Sequence, residues 1–446
     1  MRLVPQSLFL LFAVSLLTRI FFIFKYGEED LEADSYLHYL ASQGWIHSPL
    51  NNFGLLISVW TKPLFTFVSG IVLKITVENI ITIKLLNMAV WIGILYLIYL
   101  IGKEYKLSKE TLFFSIFFSS FSFLAFRSSI TSLTEPLFTL VVVAAYYLLL
   151  RKKFIVSSLL VSVSFLCRTE GIIFIIIWGI YFLINKKYRL LVVLPTFPLL
   201  WNLVGFLRYG DMLYVINTGY PLISTYGKGD LPYYIIGLLK YEPIIFSLFI
   251  ISLFLCINRF VFMKLCVLSF LLFHIVIWDL GILGSAGILR YFVPIIPFMS
   301  ILASRSLLRI VGYLKIYKSK SLVSLLYLII VISQLTYTFS LINGNGVDYV
   351  ESNSPHVDRE IMDSGIFIHS LDKNKTLYAE DPALIYFSKR ILDVDAYGGQ
   401  PPENISNIYF AFNKRYNTGD KKLSYYLNKY KLIKNFNNYT YIFESP

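Results

Sequence analysis

Residues 8–34, LFLLFAVSLLTRIFFIFKYGEEDLEAD, join an apolar run to five carboxylates within seven residues: Glu28, Glu29, Asp30, Glu32 and Asp34. The apolar part, 8–24, approaches the roughly 20 residues that cross the hydrocarbon of a bilayer. The acidic part begins where the chain leaves it. No small-residue cleavage site follows, so the run reads as a retained first helix and not as a signal peptide. Five carboxylates at a lipid–water boundary either hydrate a loop or supply a base.

The rest of the chain extends the membrane reading. Of 446 residues, 57% are hydrophobic, 17% aromatic and only 15% charged, with mean hydropathy +0.65. A soluble chain of this length would carry more charge and shorter apolar runs. The formal net charge of +13 raises the question of a nucleic-acid partner, and its distribution answers it. Residues 343–446 hold 12 Lys and Arg against 13 Asp and Glu, which leaves 28 against 14 in residues 1–342. The basic residues gather in short connections: Lys103, Lys106 and Lys109; Arg151, Lys152 and Lys153; Lys186, Lys187 and Arg189; Arg259 and Lys264; and Arg305 to Lys320. Such connections mark cytoplasmic loops. The charge reports topology, and no nucleic acid is implied.

Placing these connections and Arg2 inside yields about eleven spans, near 8–24, 82–101, 112–126, 136–150, 154–167, 171–185, 190–207, 243–257, 265–278, 291–304 and 321–342. Residues 63–77 are also apolar, but a span there would put the first basic loop outside. That stretch reads as a juxtamembrane helix on the outer surface. The expectation is a multi-pass cell-membrane protein with a cytoplasmic N-terminus and an extracytoplasmic C-terminal region. Twelve of the fourteen acidic residues before position 343 then fall on or near the outer side.

Composition changes after Asn343-Gly-Asn-Gly346. Residues 376–379, 408–412 and 439–443 are rich in Tyr, Phe, Thr and Ile and read as strands. Residues 381–388 and 420–430 read as helices. The expected organisation is therefore an all-α polytopic membrane domain, 1–342, followed by a small extracytoplasmic α/β domain, 343–446. Sequons at Asn374, Asn404 and Asn438 suit an exported domain but are weak evidence in an Asn-rich segment. Cys167, Cys256 and Cys266 lie in or beside helices and read as buried thiols, not as a disulfide framework.

Outer-face polar residues supply the candidates. Asp34-Ser-Tyr36-Leu-His38 opens a short helix, and a carboxylate here is suited to deprotonating an acceptor hydroxyl; the alternative is a hydrated loop. Lys62, just before Pro63, is either a phosphate contact or an interfacial anchor. Glu135 opens a helix after Thr134, where the helix dipole favours an acid. Arg168-Thr-Glu170 interrupts an apolar stretch with two charges, which either pair to stabilise a turn or serve function. Arg290-Tyr291 precedes Pro294 and Pro297, a start that distorts the first turn and leaves backbone groups to line a cavity. Arg290 suits a lipid phosphate, which arginine holds by paired charge-assisted hydrogen bonds. Arg19, in the outer half of the first helix, is expected to face the same cavity. His274 reads as a packed core residue. No close His or Cys spacing indicates a metal centre. Glu32-x-Asp34 could take a divalent cation through carboxylate oxygens, though one short acidic run is poor evidence.

Taken together, these motifs resemble the GT-C type of integral-membrane glycosyltransferase, of the protein O-mannosyltransferase and aminoarabinose-transferase kind. The resemblance covers nearly the whole chain: the acidic first outer loop with Asp34-Ser-Tyr, Lys62-Pro-Leu, Thr134-Glu-Pro-Leu, Arg168-Thr-Glu-Gly, Arg290-Tyr with its prolines, and the outer α/β region. It implies inverting transfer of a mannose-like or other hexose or pentose from a polyprenyl-phosphate (dolichyl or similar) donor to an acceptor hydroxyl on a glycan, lipid or protein. Asp34 would be the base, with Lys62, Arg290 and Arg168 around the donor phosphate. Tyr36, His38, Glu135, Glu170, Tyr291 and Arg19 would support them. Ser35 stands where the family commonly has a second acid, so Glu32 remains an alternative base. A transporter or flippase of lipid-linked glycans is a rival that should show internal repeats or broken helices. A polymerase or ligase of such glycans would share much of the donor chemistry.

Overall fold

The computed structural model describes residues 6–29, 33–218, 227–255, 260–313, 320–345, 359–372, 374–379, 381–390, 407–413, 420–436 and 440–445. Glu32, Cys256, Asn404 and Asn438 lie outside them. Two compact units emerge: residues 1–25 with 84–353, and residues 26–83 with 354–446.

The first unit is helical. Numbered along the chain, it holds α1 (Gln6–Tyr26), most of α5 (Ile80–Glu104), α6 (Lys109–Phe121), α7 (Phe123–Ser129), α8 (Glu135–Leu150), α9 (Phe154–Cys167), α10 (Gly171–Ile184), α11 (Thr196–Tyr209), α12 (Tyr214–Asn217), α13 (Tyr233–Tyr241), α14 (Pro243–Leu255), α15 (Val261–Leu280), α16 (Ile296–Tyr313) and α17 (Lys320–Ser340). Among the described residues six helical segments are long and apolar enough to cross a membrane, a bent pair makes a seventh, and Pro63–Ile75, α8, α9, α10 and α14 are shorter apolar helices. Helices lie along the eleven stretches read as spans, up to seven of them long enough to cross, and the protein is a multi-pass membrane protein. The outward side chains fit this solvent: on α1, Phe9, Leu17, Phe21 and Phe24 are each more than 60% exposed, a surface that water would penalise.

The expected single helix over 112–126 is instead broken. Ser122 leaves helical geometry, and α6 and α7 diverge by 59°. A broken helix in hydrocarbon must satisfy the backbone groups it frees. Here Glu242 Oε1 accepts from Ser122 Oγ at 2.5 Å and from Leu124 N at 2.9 Å, covering the new N-terminus. On the other side of the break, Gln334 Nε2 and Thr338 Oγ1 donate to the Phe121 carbonyl at 2.8 and 2.6 Å. These partners come from residues more than 100 positions away, so local sequence cannot announce the bend.

Proline sets the start of α16. Residues Leu289–Ile295 form a 3-10 turn containing Pro294, and Pro297 follows within α16. Each proline removes one backbone donor, so the chain enters the helix through the tighter turn. Arg290 and Tyr291 sit on that entry.

The second unit contains α2 (Ala33–His47), α3 (Phe53–Ile57), α4 (Pro63–Ile75), α18 (Arg359–His369), α19 (Pro382–Phe387), α20 (Asp420–Lys429) and four strands. The strands β1 (Thr376–Ala379), β2 (Ile408–Asn413), β3 (Lys431–Phe436) and β4 (Thr440–Glu444) form a sheet of order β1-β2-β4-β3, with only β1 and β2 parallel. Sequence patterning finds β1, β2 and β4. The missing β3 is a lysine-bearing edge strand, largely exposed along its length, and edges of that kind lack an apolar alternation. Tyr426 of α20 covers the sheet, its ring 4.7 Å from that of Phe410. The segment after α1 belongs to this unit too: Tyr36 and Tyr39 of α2 pack on Tyr386 of α19 at 4.9 and 5.4 Å between ring centroids. On α4, Gly70 is required by close approach, since a Cβ there would lie 2.7 Å from the Trp45 ring of α2.

Candidate functional site

In the first unit a buried charge cluster forms at three helix ends. Glu135 opens α8 with Pro136 beside it, Arg168 is the extended residue closing α9, and Glu170 precedes α10. Arg168 Nη1 donates to Glu135 Oε1 at 2.8 Å and to Thr134 Oγ1 at 3.1 Å. Its Nη2 and Nε donate to Glu170 Oε1 at 2.9 and 3.3 Å. Arg290 Nε lies 3.3 Å from the same Glu135 oxygen. Tyr291 presents its ring to Arg168, 5.2 Å from Cζ, and His274 stacks on that ring at 5.1 Å.

The pairing of Arg168 with Glu170 is therefore real but is only half of its environment. Glu135, 1% exposed, bridges both arginines. A role confined to the α8 dipole does not account for that placement. Two guanidinium groups against two carboxylates balance in charge, as groups withdrawn from water require. All three Arg168 nitrogens donate to protein oxygens, which makes it an organiser of the cluster. The segment leading into Glu135 is itself pinned, because Asn87 Nδ2 of α5 donates to the carbonyls of Thr131 and Leu133, both at 2.7 Å. Asn87 and Glu242 carried no local signal in the sequence beyond being polar residues beside apolar runs.

Arg19 is completely buried in the same unit, but its guanidinium serves the α6–α7 break. Nε donates to Ser129 Oγ at 2.7 Å, Nη2 to the Ser120 carbonyl at 2.7 Å, and Nη1 to Ser15 Oγ at 2.6 Å. The group also stands 4.7 Å over the Phe126 ring. Its described partners give it a part in holding the break. His274 is packed among aromatic rings as expected, and Cys167 and Cys266 are buried free thiols.

In the second unit, Asp34 lies half-buried in the first turn of α2, where a carboxylate is favoured by the helix dipole. Tyr36 and His38 orient this helix. The Tyr36 hydroxyl donates to the Glu28 carbonyl at 3.1 Å, and the His38 ring sits 5.5 Å from Phe65 of α4. Lys62 caps α4 with φ 64° and ψ 96°, a region that non-glycine residues rarely occupy. It is 5% exposed, so it does not resemble a snorkelling anchor whose ammonium stays in water. Backbone held in such a region is strained.

The other carboxylates of the acidic segment have a different setting. Glu28 accepts from Asn79 Nδ2 at 2.7 Å and from the Tyr386 hydroxyl at 3.1 Å. Glu28 and Glu29 line a cavity of about 720 Å³ together with Tyr39, Glu78, Tyr386 and Arg390; Asp34 does not line it. Burial, with Glu78 and Glu28 adding to it, pushes the Tyr39 hydroxyl up to about 12. Among the described residues no group of three or more His, Cys, Asp or Glu side chains could hold a metal ion.

No family profile matches the sequence, and no curated protein matches it. Solved structures do. The aminoarabinose transferase ArnT of Cupriavidus metallidurans bound to undecaprenyl phosphate superposes with TM-score 0.65 at 12% identity, covering 99% of this chain and 98% of that one. Its apo form gives 0.66 at 12% identity, over 98% and 97%. The Archaeoglobus fulgidus oligosaccharyltransferase, tethered to an acceptor peptide, gives 0.54 at 13% identity, over 98% of this chain and 74% of that one. From end to end, this chain has the fold of the GT-C integral-membrane glycosyltransferases.

Proposed function

We propose that the protein is an inverting glycosyltransferase that moves a hexose or pentose from a polyprenyl-phosphate donor to an acceptor hydroxyl at the outer face of the membrane. The observation that carries this reading is the buried Arg168–Glu135–Arg290 cluster, set in a chain whose fold matches a transferase holding undecaprenyl phosphate. Asp34 takes the proton of the acceptor hydroxyl. The freed oxygen attacks the anomeric carbon from the face opposite the phosphate, so its configuration inverts. The carbon–oxygen bond to phosphate breaks, and the leaving polyprenyl phosphate keeps the electron pair. A phosphate that departs already charged needs cations and no general acid. Arg290 and Lys62 supply those cations. Arg168, through Glu135, fixes the orientation of Arg290 beside the donor phosphate, with Glu170 and Tyr291 holding Arg168.

The test uses purified protein in liposomes with labelled polyprenyl-phosphate sugars and a panel of glycan, lipid and peptide acceptors. Transfer by the wild type, its loss in Asp34→Asn, and retained donor binding in that variant are the expected results. No transfer from any donor, with donor lipid moved between leaflets instead, would replace the enzyme by a flippase. One observation favours keeping that second reading in the experiment: the 59° break between α6 and α7 is the kind of discontinuity transporters use. Its freed backbone groups are nevertheless bonded to Glu242, Gln334 and Thr338 and do not line an open ion site.

A further inference from the structure

Two basic connections of the first unit converge on a pocket that sugar transfer does not use. One joins α8 to α9 and the other follows α10. Lys152, Lys153, Lys186, Lys187 and Arg189 line a pocket of about 630 Å³, and no acidic residue lines it. Its apolar wall includes Phe154, and Lys187 Nζ stands 4.1 Å over that ring, tying one connection to the other. Both turns are closed by backbone hydrogen bonds. Lys152 and Lys186 take left-handed φ of 59° and 56°, and the next amides close back on the helices, Lys153 N to the Leu148 carbonyl at 2.9 Å and Lys187 N to the Phe182 carbonyl at 2.8 Å. This is the six-to-one helix closure usually completed by glycine.

We infer that this pocket binds the phosphate headgroup of an anionic membrane phospholipid from the leaflet on the basic face. Topology alone asks only that lysine and arginine lie in the connections; it does not ask five of them to share one concave space, where they repel one another without a counter-anion. The apolar surroundings select a lipid over a soluble phosphate. Ile155 and Val156 in the pocket wall are 62% and 49% exposed, and the flanking Ile184 and Val192 are 75% and 78% exposed. Acyl chains have a surface to follow directly beside the charges. Basic pockets between membrane helices on the cytoplasmic side hold multiply charged phospholipid heads by this combination.

Full-length protein in mixed micelles, challenged with cardiolipin, phosphatidylglycerol or phosphatidylcholine and read by native mass spectrometry, tests this. The wild type should retain the anionic lipids over phosphatidylcholine, and Lys152→Gln/Lys153→Gln/Lys186→Gln/Lys187→Gln should lower that retention on the order of tenfold or more. Lys152, Lys153 and Lys186 are exposed and Lys187 is half-buried, and circular dichroism verifies that the variant folds. Lys103→Gln/Lys106→Gln/Lys109→Gln removes charge from another basic connection that does not line the pocket and should change retention little. Equal retention of neutral and anionic lipid would overturn the proposal, as would an equal loss in the control variant. Displacement of the lipid by millimolar inorganic phosphate would overturn it too, since the occupant would then be a soluble anion. No outcome depends on sugar transfer, so the result stands apart from the catalytic reading.

Discussion

The buried charges of the first unit and the acidic rim of the second handle the same problem, carboxylates in a greasy chain, by opposite means. Glu135 is 1% exposed and is held by two arginines. Glu28 is exposed and is held by an amide and a phenol around an open cavity. A paired buried charge is costly to disturb because the partner left behind cannot return to water. An exposed one loses little. The carboxylate proposed to do chemistry, Asp34, has an intermediate environment, half-buried at a helix start where the charge is favoured.

Substitution of Asp34 should produce the largest effect. Asp34→Asn is expected to lower kcat by about 10²–10⁴-fold, the usual contribution of a general base, with donor affinity kept. Full activity in that variant and none in Glu32→Gln would move the base two residues upstream. Activity in both would end the catalytic reading of this loop.

Next comes the buried cluster. Glu135→Ala should destabilise the protein by about 3–5 kcal/mol, the cost of breaking a buried ion pair from one side, measured as thermal or denaturant unfolding in detergent. Pairing it with Arg168→Met should restore part of the loss. If the double variant loses the sum of what Glu135→Ala and Arg168→Met each lose alone, the two groups are not coupled. Arg290→Lys keeps a charge but loses the planar fork, and a donor KM raised about tenfold with kcat less affected is expected if it holds phosphate. An unchanged KM would confine Arg290 to the ion-pair cluster.

The exposed rim should respond least. Glu28→Gln is expected to cost roughly 1 kcal/mol or less; a loss as large as that of Glu135→Ala would erase the contrast between the regions. Tyr39 gives a pH test of the same unit. Its folded value of about 12 lies above the ordinary 10, so burial favours the neutral phenol. That stabilisation is present below pH 10 and is lost as pH rises through 12. Alkaline unfolding followed by tyrosine absorbance should show a shallower decline between pH 10 and 12 in Tyr39→Phe. An identical decline would assign it to other groups.

The spans were legible because hydrocarbon imposes a long-range average on composition: some twenty apolar residues in a row leave few alternatives. Strands β1, β2 and β4 were legible through their aromatic and β-branched residues. The β3 edge strand was not, because Lys431 and Lys434 make it look like loop. The α6–α7 break was invisible because Glu242, Gln334 and Thr338, which satisfy it, are distant in sequence. Among the site residues, Arg168, Glu170, Glu135 and Arg290 stood out as charges flanking apolar runs, but the sequence paired only the first two.

By itself, then, the sequence determined the membrane helices, the segregation of charge and the short roster of polar residues between the spans, because each follows from one-dimensional composition against a fixed solvent. Only the tertiary structure decided that Glu135 bridges two arginines, that Arg19 serves a helix break, and that the segment after the first helix shares a unit with the C-terminal segment. Hydrogen bonds and ion pairs are satisfied across space, by whichever residue the packed helices bring within three ångströms or so.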